Sequence, residues 1–133
     1  YPYLSVCSIS THDMSTLRGW WHEDPNLTQR YYEQVLRGWG KCPKEAPGWI
    51  CDTIVVNHLL SNSMLCILSF QDWLSIDENV RYPDADAERI NVPADSRHYW
   101  RYRMHLTIEE LMKCDFLNRR IANMVQKSGR SSY

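Results

Sequence analysis

The chain has 133 residues and a formal net charge of −1, and 44% of its residues are apolar, among them six tryptophans and eight tyrosines. This apolar content is enough for a hydrophobic core and excludes a disordered chain. The balanced charge excludes the basic surface of a nucleic-acid or anionic-membrane binder, and the apolar runs are far shorter than the ~20 residues that span a bilayer. We therefore predict a folded domain that binds neither nucleic acid nor a membrane.

The length fits one ordinary domain, whereas a complete (β/α)8 barrel takes about 250 residues. The first residue is tyrosine rather than methionine, which favours a piece of a longer reading frame.

The five cysteines lie in apolar or mixed segments: Cys7, Cys42, Cys51, Cys66 and Cys114. A zinc site would need ligands paired at short spacing, such as Cys-x2-Cys, and no such pair occurs. Unpaired cysteines of this kind behave as small core residues in a reducing compartment. The sequence therefore predicts free thiols and no metal site.

In chain order, the first predicted element is a buried strand at 4–9, and the polar pair His12-Asp13 follows it. In a (β/α)8 barrel, catalytic side chains lie where a strand ends and its loop begins. A carboxylate beside an imidazole at the tip of a strand fits such a site. The spacing leaves a second interpretation open, in which Asp13 caps the next helix, since aspartate is favoured at N-caps.

Three helical segments are predicted before the next strand. They are a single turn at 16–21, a helix at 27–36 with Asn26 as its cap, and a helix at 49–60. A loop at 38–48 contains two prolines. His58 is expected to have a structural role, because the C-terminal end of a helix favours an imidazole.

A near-continuous apolar run at 64–70 predicts a second strand, of the type that is parallel and buried on both faces. Gln71 and Asp72 follow it, so they should lie on the same side of the sheet as His12 and Asp13. We expect Asp72 to hold loops in place by accepting backbone N–H bonds.

The remaining part of the chain begins with a long polar segment at 76–97, and a loop of that length usually has a function. An extended stretch at 99–104 should follow it. We expect Thr107 to cap a helix at 108–113, and a last helix at 116–127.

Three segments carry a resemblance to a known family: STHDMSTLRGWW at 10–21, SMLCILSFQDWL at 63–74, and ERINVPAD at 88–95 with RHYWRYR at 97–103. In this order and spacing they resemble the C-terminal part of the 4-α-glucanotransferases of glycoside hydrolase family 77, the amylomaltases or disproportionating enzymes. The resemblance implies an α/β fold, helix-rich, in which residues 1–133 form the C-terminal portion of a (β/α)8 TIM barrel. About the last two βα units would be present, with no separate second domain.

The family transfers α-1,4-glucan segments or glucose between maltodextrins by a retaining double displacement, which implies a nucleophilic Asp, an acid/base Glu and a third, stabilising Asp. By resemblance Asp13 is that transition-state stabiliser, and His12 contacts a sugar hydroxyl. Asn91 and Gln71 are expected to bind substrate, although a turn-forming role for Asn91 is an equal alternative. No segment matches the motifs of the other two carboxylates, so the isolated chain is expected to be inactive.

The resemblance further implies maltodextrin and the remainder of the same barrel as partners, no metal or organic cofactor, and a cytoplasmic location. Two rival hypotheses remain: a non-catalytic maltodextrin-binding module, and an unrelated α/β interaction domain. Arg18 could pair with an active-site carboxylate or with an acid in the next helix, and we favour the latter. Trp20, Trp21, Trp73 and Trp100 should lie mostly in the core, with one exposed as a platform for a sugar ring.

Overall fold

The structure is a computed structural model that describes residues 1–131. Within this range it contains two short strands, six α-helices and one 3₁₀ helix. In chain order these are β1 (Val6–Cys7), α1 (Leu17–Glu23), α2 (Pro25–Gln34), α3 (Gly48–Leu59), β2 (Leu65–Cys66), α4 (Phe70–Leu74), the 3₁₀ helix (Asp86–Glu88), α5 (Ile108–Met112) and α6 (Asp115–Lys127).

The two strands pair in parallel, with Val6 opposite Leu65 and Cys7 opposite Cys66. This confirms the predicted strand, helix, strand order with a parallel pair. Each strand is only two residues long, much shorter than predicted. The hydrogen-bonded ladder is short because, within the described chain, each strand has one neighbour.

The prediction that the strands are buried on both faces is wrong for this chain. Cys7 is buried against the helices, whereas Val6, Leu65 and Ile67 are exposed, as is Leu4. Successive residues of a strand point to opposite faces. One face of the sheet therefore packs on the helical layer and the other presents an apolar surface to solvent.

The caps of the first two helices follow from side chains that accept orphan backbone N–H groups. Thr16 accepts the N–H of Gly19 and begins α1. Asp24 accepts the N–H groups of Asn26 and Leu27, each at 3.0 Å, so the prediction that Asn26 is the cap of α2 is wrong. Pro25 occupies the first helical position, which suits it because no N–H is needed there.

The second predicted strand ends earlier than expected because a serine stops it. Ser69 accepts the N–H of Asp72 at 3.1 Å and caps α4. Gln71 and Asp72 consequently lie in the first turn of a short helix that follows the strand, and not in a loop.

The core forms around α3, which contributes Ile50, Cys51, Ile54, Val55 and Leu59 to it. The other buried apolar members are Leu17, Trp21, Tyr32, Ala46, Leu74, Ile76, Leu117 and Met124. A bidentate ion pair of Arg120 with Asp52, at 2.6 Å on both oxygens, joins α6 to α3. Helix packing on one face of the sheet therefore supplies most of the buried surface.

The C-terminal helices begin close to the predicted positions. Thr107 caps α5 in a capping box with Glu110, as the sequence predicts. Residues 99–104 contain no regular element. Among residues 1–131, no helix combines the length and the apolar character needed to cross a membrane.

Candidate active site

The turn after β1 presents His12 and Asp13 to solvent, with side chains 54% and 53% exposed. Nε2 of the imidazole lies 3.3 Å from Oδ2 of the carboxylate. The interpretation of Asp13 as a helix cap is wrong, because Thr16 caps α1. Its carboxylate is therefore available at the surface, at the carboxyl end of β1.

Asn91 reaches the same turn from a segment 78 residues later in the chain. Its side-chain amide donates to Oδ1 of Asp13 at 2.6 Å, and its backbone N–H donates to the carbonyl of His12 at 3.1 Å. The backbone carbonyl of Asn91 accepts from Nε of Arg89 at 2.9 Å, and Arg89 also donates to Ser15 at 3.0 Å. The structure thus brings together three of the four residues that the sequence singled out.

Trp100 lies against the imidazole of His12, with ring centroids 5.1 Å apart and planes inclined by 46°. The residue is 62% exposed, so the expectation of one exposed tryptophan applies to it. Of the other three, Trp21 is fully buried and Trp20 and Trp73 are half-buried. The sequence offered no signal that would have paired Trp100 with His12, because the stretch between Asn91 and Trp100 forms no regular element.

Asp72, at the end of the neighbouring strand, is in a contrasting environment. It is 0% exposed, its Oδ1 accepts the N–H of Leu17 at 2.9 Å, and its Oδ2 accepts the hydroxyl of Ser10. This carboxylate joins α4 to the start of α1, as expected for an acid that holds loops in place.

Gln71 has a different environment from the exposed His12 and Asp13. It is buried, and its Nε2 donates to the backbone carbonyl of Glu88 at 3.2 Å. Its amide therefore holds the 3₁₀ helix against α4.

A buried ion pair anchors the segment that carries Asn91. Arg18 donates to Oε1 of Glu88 at 2.7 Å, and the two side chains are 6% and 2% exposed. Arg18 also donates to the carbonyl of Tyr82 at 2.6 Å, and Thr16 donates to Oε2 of Glu88 at 3.1 Å. The predicted pairing of Arg18 with an acid in the next helix is wrong, since its partner comes from the 3₁₀ helix.

Opposing effects act on the pKa of Glu88 in this pair. Burial raises the pKa of Glu88 above its ordinary value, and the Arg18 guanidinium and Thr16 hydroxyl only partly oppose that effect. Removing one partner of such a pair leaves a buried group without compensation. The anchor is therefore structural and stiff, in contrast with the exposed group that it supports.

The exposed group has a definite chemical capacity. Asn91 fixes one oxygen of the Asp13 carboxylate, while the side chain as a whole remains half open to solvent. A carboxylate oriented in advance can accept hydrogen bonds from hydroxyl groups and stabilise positive charge that develops nearby. The exposed indole of Trp100 and the imidazole of His12 beside it add aromatic surface next to this carboxylate.

Comparison with known proteins gives a consistent result. Residues 1–107 match the model of glycoside hydrolase family 77, described as 4-alpha-glucanotransferase. The rice protein 4-alpha-glucanotransferase DPE2 (Oryza sativa subsp. japonica) is 36% identical over 98% of this chain, which covers 14% of that protein. The 4-alpha-glucanotransferase of Chlamydia caviae is 31% identical over 96% of this chain and 24% of its own length. The chain thus spans a quarter or less of these relatives.

A solved structure agrees at the level of the fold. An amylomaltase from Streptococcus agalactiae, determined in complex with acarbose, superposes on 97% of this chain with a TM-score of 0.70 and 19% identity. The matched part is 22% of that protein. Since the family model covers most of the sequence and the fold agrees, the chain belongs to glycoside hydrolase family 77.

Proposed function

We propose that this chain is part of a 4-α-glucanotransferase that moves α-1,4-glucan segments or glucose between maltodextrins, and that it supplies the transition-state stabiliser, Asp13. The observation that carries the proposal is the meeting of His12, Asp13 and Asn91 at the carboxyl end of β1. Family membership gives the reaction class, and the exposed, oriented carboxylate gives this segment a role in it.

The open face of the sheet supports a place within a larger barrel. Val6 and Leu65 in the strands, and Leu4 and Ile67 beside them, are exposed on that face although they are strongly apolar. We propose that the remainder of the (β/α)8 barrel covers them, and that residues 1–133 form about its last two βα units without a second domain. In such a barrel, β1 and β2 would be neighbouring strands whose carboxyl ends face the active site.

The chemistry of a retaining transferase assigns a definite task to Asp13. The reaction passes through a covalent glycosyl-enzyme, and its transition states resemble an oxocarbenium ion. An ionised carboxylate near the ring hydroxyls lowers the barrier if its bonds to the sugar strengthen as positive charge develops. The amide of Asn91, 2.6 Å from Oδ1, keeps the carboxylate oriented before the substrate arrives.

The neighbouring side chains complete a sugar-binding edge. We propose that His12 donates to a hydroxyl of the same sugar; its imidazole adjoins the Asp13 carboxylate, with Nε2 3.3 Å from Oδ2, which supports this role. Trp100 presents an exposed aromatic surface on which the apolar face of a glucose ring would stack. Asn91 would bind substrate with the part of its amide that Asp13 does not use. Gln71 is buried, so we assign it to support of the 3₁₀ helix and not to sugar contact.

The five cysteines, all unpaired in the structure, support a reducing and therefore cytoplasmic location for the enzyme.

The proposal is tested by comparing the isolated 133 residues with the complete protein that contains them. We expect the complete protein to release glucose from maltotriose as it disproportionates this substrate, and the isolated chain to release none. Glucose release by the isolated chain would contradict the proposal, because the nucleophile and the acid/base would then have to lie within it. Binding of maltodextrin by both proteins without glucose release by either would favour a binding module.

A further inference from the structure

The register of the sheet places two thiols side by side. Cys7 on β1 lies opposite Cys66 on β2, and residues paired in this way point to the same face. Neighbouring strands are about 4.8 Å apart, which lies within the roughly 4.4–6.8 Å range of Cα separations for disulfide-bonded cysteines.

The surroundings differ between the two sulfurs. Cys7 is 3% exposed, and its sulfur lies 3.2 Å from the hydroxyl of Ser61 and 3.6 Å from the carbonyl of His58. Cys66 is half-buried and lines a pocket of about 560 Å³ together with Ser61 and Arg130. The pocket gives a small oxidant a route from solvent to Cys66 and to Ser61, whose hydroxyl lies beside the Cys7 sulfur.

Arg130 holds the loop that forms this pocket. Its guanidinium donates to the backbone carbonyls of Leu59 at 2.6 Å, Ser61 at 2.8 Å and Ser63 at 2.8 Å. The same group places a positive charge near Cys7. The loop therefore presents the Ser61 hydroxyl to the sulfur in a fixed position.

These contacts give the two thiols different acidities. Burial opposes ionisation of Cys7, but hydrogen bonds from Ser61, Cys66 and Ser63 and the charge of Arg130 together bring its pKa below the ordinary value. Burial and the neighbouring Cys7 raise the pKa of Cys66 to about 11. Cys7 is therefore the more readily ionised thiol of the two. This is the division expected of an attacking and a resolving cysteine.

We propose that Cys7 and Cys66 form a dithiol site for hydrogen peroxide, which oxidises the pair reversibly to a disulfide that joins β1 to β2. In the first step the Cys7 thiolate attacks one peroxide oxygen and the O–O bond breaks. Cys7 becomes a sulfenic acid, and the released hydroxide takes up the proton that the thiol had lost. In the second step the Cys66 sulfur attacks the Cys7 sulfur, and the sulfenic oxygen leaves as water with the Cys66 proton.

The balance of the two steps is complete. Two protein thiols lose two electrons, one peroxide is reduced to two waters, and one S–S bond forms. The bond links directly opposed residues of parallel strands, and Cys66 lines an open pocket. Exposed disulfides are among the readily reduced ones, so we expect a labile link.

The experiment uses the complete protein that contains this chain. It is exposed to hydrogen peroxide, its remaining thiols are alkylated, and a non-reducing digest is analysed by mass spectrometry. We expect a linked pair of peptides containing Cys7 and Cys66 that dithiothreitol separates. In Cys66→Ser, dimedone should trap the Cys7 sulfenic acid, and Cys51→Ser, which changes a fully buried thiol outside the pair, should leave the link intact.

The hydrogen bond from Ser61 provides a quantitative control. Ser61→Ala should slow oxidation of Cys7 about fivefold, the ratio that corresponds to the loss of one ordinary hydrogen bond. The proposal is overturned if Cys7 and Cys66 are both still alkylated in samples where Cys114 is already oxidised. It is also overturned if Cys66 is oxidised in Cys7→Ser at the same rate as in the unmodified protein. The readout is a covalent bond, so its outcome is independent of any transferase activity.

Discussion

Two aspartates follow the two paired strands of this molecule, and their environments are opposite. Asp13, after β1, is 53% exposed and contacts His12 and Asn91. Asp72, after β2, is 0% exposed and accepts bonds from Leu17 and Ser10. Two acids that follow neighbouring strands can therefore have opposite environments, and their position alone does not say which of them is available to a ligand. What separates the two is burial: both oxygens of Asp72 accept bonds inside the fold, whereas Asp13 accepts one from Asn91 and stays half open to solvent.

The same contrast extends to the segments around them. The buried region near Asp72 includes the Arg18–Glu88 ion pair and the amide of Gln71, and every one of these contacts joins segments of the chain. The exposed region near Asp13 includes Trp100, which is 62% exposed. The buried region holds the 3₁₀ helix in place. That helix leads into the segment from which Asn91 reaches the exposed region.

Removing the buried acid should have the largest effect on stability. Asp72→Ala leaves the N–H of Leu17 and the hydroxyl of Ser10 buried without their acceptor, and we expect the free energy of unfolding to fall by about 3 kcal/mol. The matched variant Asp13→Ala removes an exposed group and should change it by less than about 0.5 kcal/mol. Urea titration of the complete protein measures both. Equal losses of unfolding free energy in the two variants would contradict the contrast between the buried Asp72 and the exposed Asp13.

Trp100→Ala should have an intermediate effect, on substrate binding. Loss of the aromatic surface should raise KM for maltotriose roughly tenfold, the ratio equivalent to about 1.4 kcal/mol of apolar contact. Because stacking stabilises ground state and transition state alike, kcat should change little. Trp100→Tyr should restore most of the affinity. A fall in kcat at constant KM would instead mean that Trp100 acts by positioning His12.

The smallest predicted effect is a pH dependence of the free energy of unfolding. It comes from His22, which lies 2.9 Å from Asp86 of the 3₁₀ helix. Burial opposes protonation of His22, but a hydrogen bond and charge from Asp86, with the charge of Glu45, raise its pKa above 6.5. A raised pKa gives stability that is fully present below pH 6.5 and is lost as the pH rises through the value in the folded state. The two carboxylates are well exposed, so screening limits the gain to about 0.5 kcal/mol.

This dependence is measured as the difference in free energy of unfolding between the unmodified protein and His22→Gln. The difference should be largest below pH 6.5 and shrink above it. Asp86→Asn should weaken the same dependence, since it keeps a polar group 2.9 Å from Nε2 but removes the negative charge. A difference that grows as the pH rises would contradict the predicted direction of the pH dependence.

The sequence predicted those features that depend on local patterns. The parallel pair of strands, the helix at α3 and the Thr107 cap follow from apolar periodicity and capping chemistry. The end of the second strand was missed, because Ser69 starts a helix inside a run that reads as apolar. The partner of Arg18 was missed because it lies 70 residues away, and no local pattern encodes such a distance.

The candidate site also contains features that the sequence predicts and features that it does not predict. His12 and Asp13 are adjacent, so any structure places them together, and resemblance to a family singled them out. The contact of Asn91 with Asp13 depends on how a long irregular segment returns to the first turn, guided by the buried Glu88. The burial of Gln71 could not be predicted from its position after the strand, because α4 turns that side chain inward.

The most direct test of the account is Asp13→Asn in the complete protein, with transfer between maltodextrins and unfolding measured on the same preparation. The substitution keeps the shape of the side chain and an oxygen for Asn91 but removes the negative charge. The account predicts a fall in kcat of about 10²–10³-fold with an unchanged free energy of unfolding. Full transfer activity in that variant, or a loss of activity that merely follows unfolding, would contradict it.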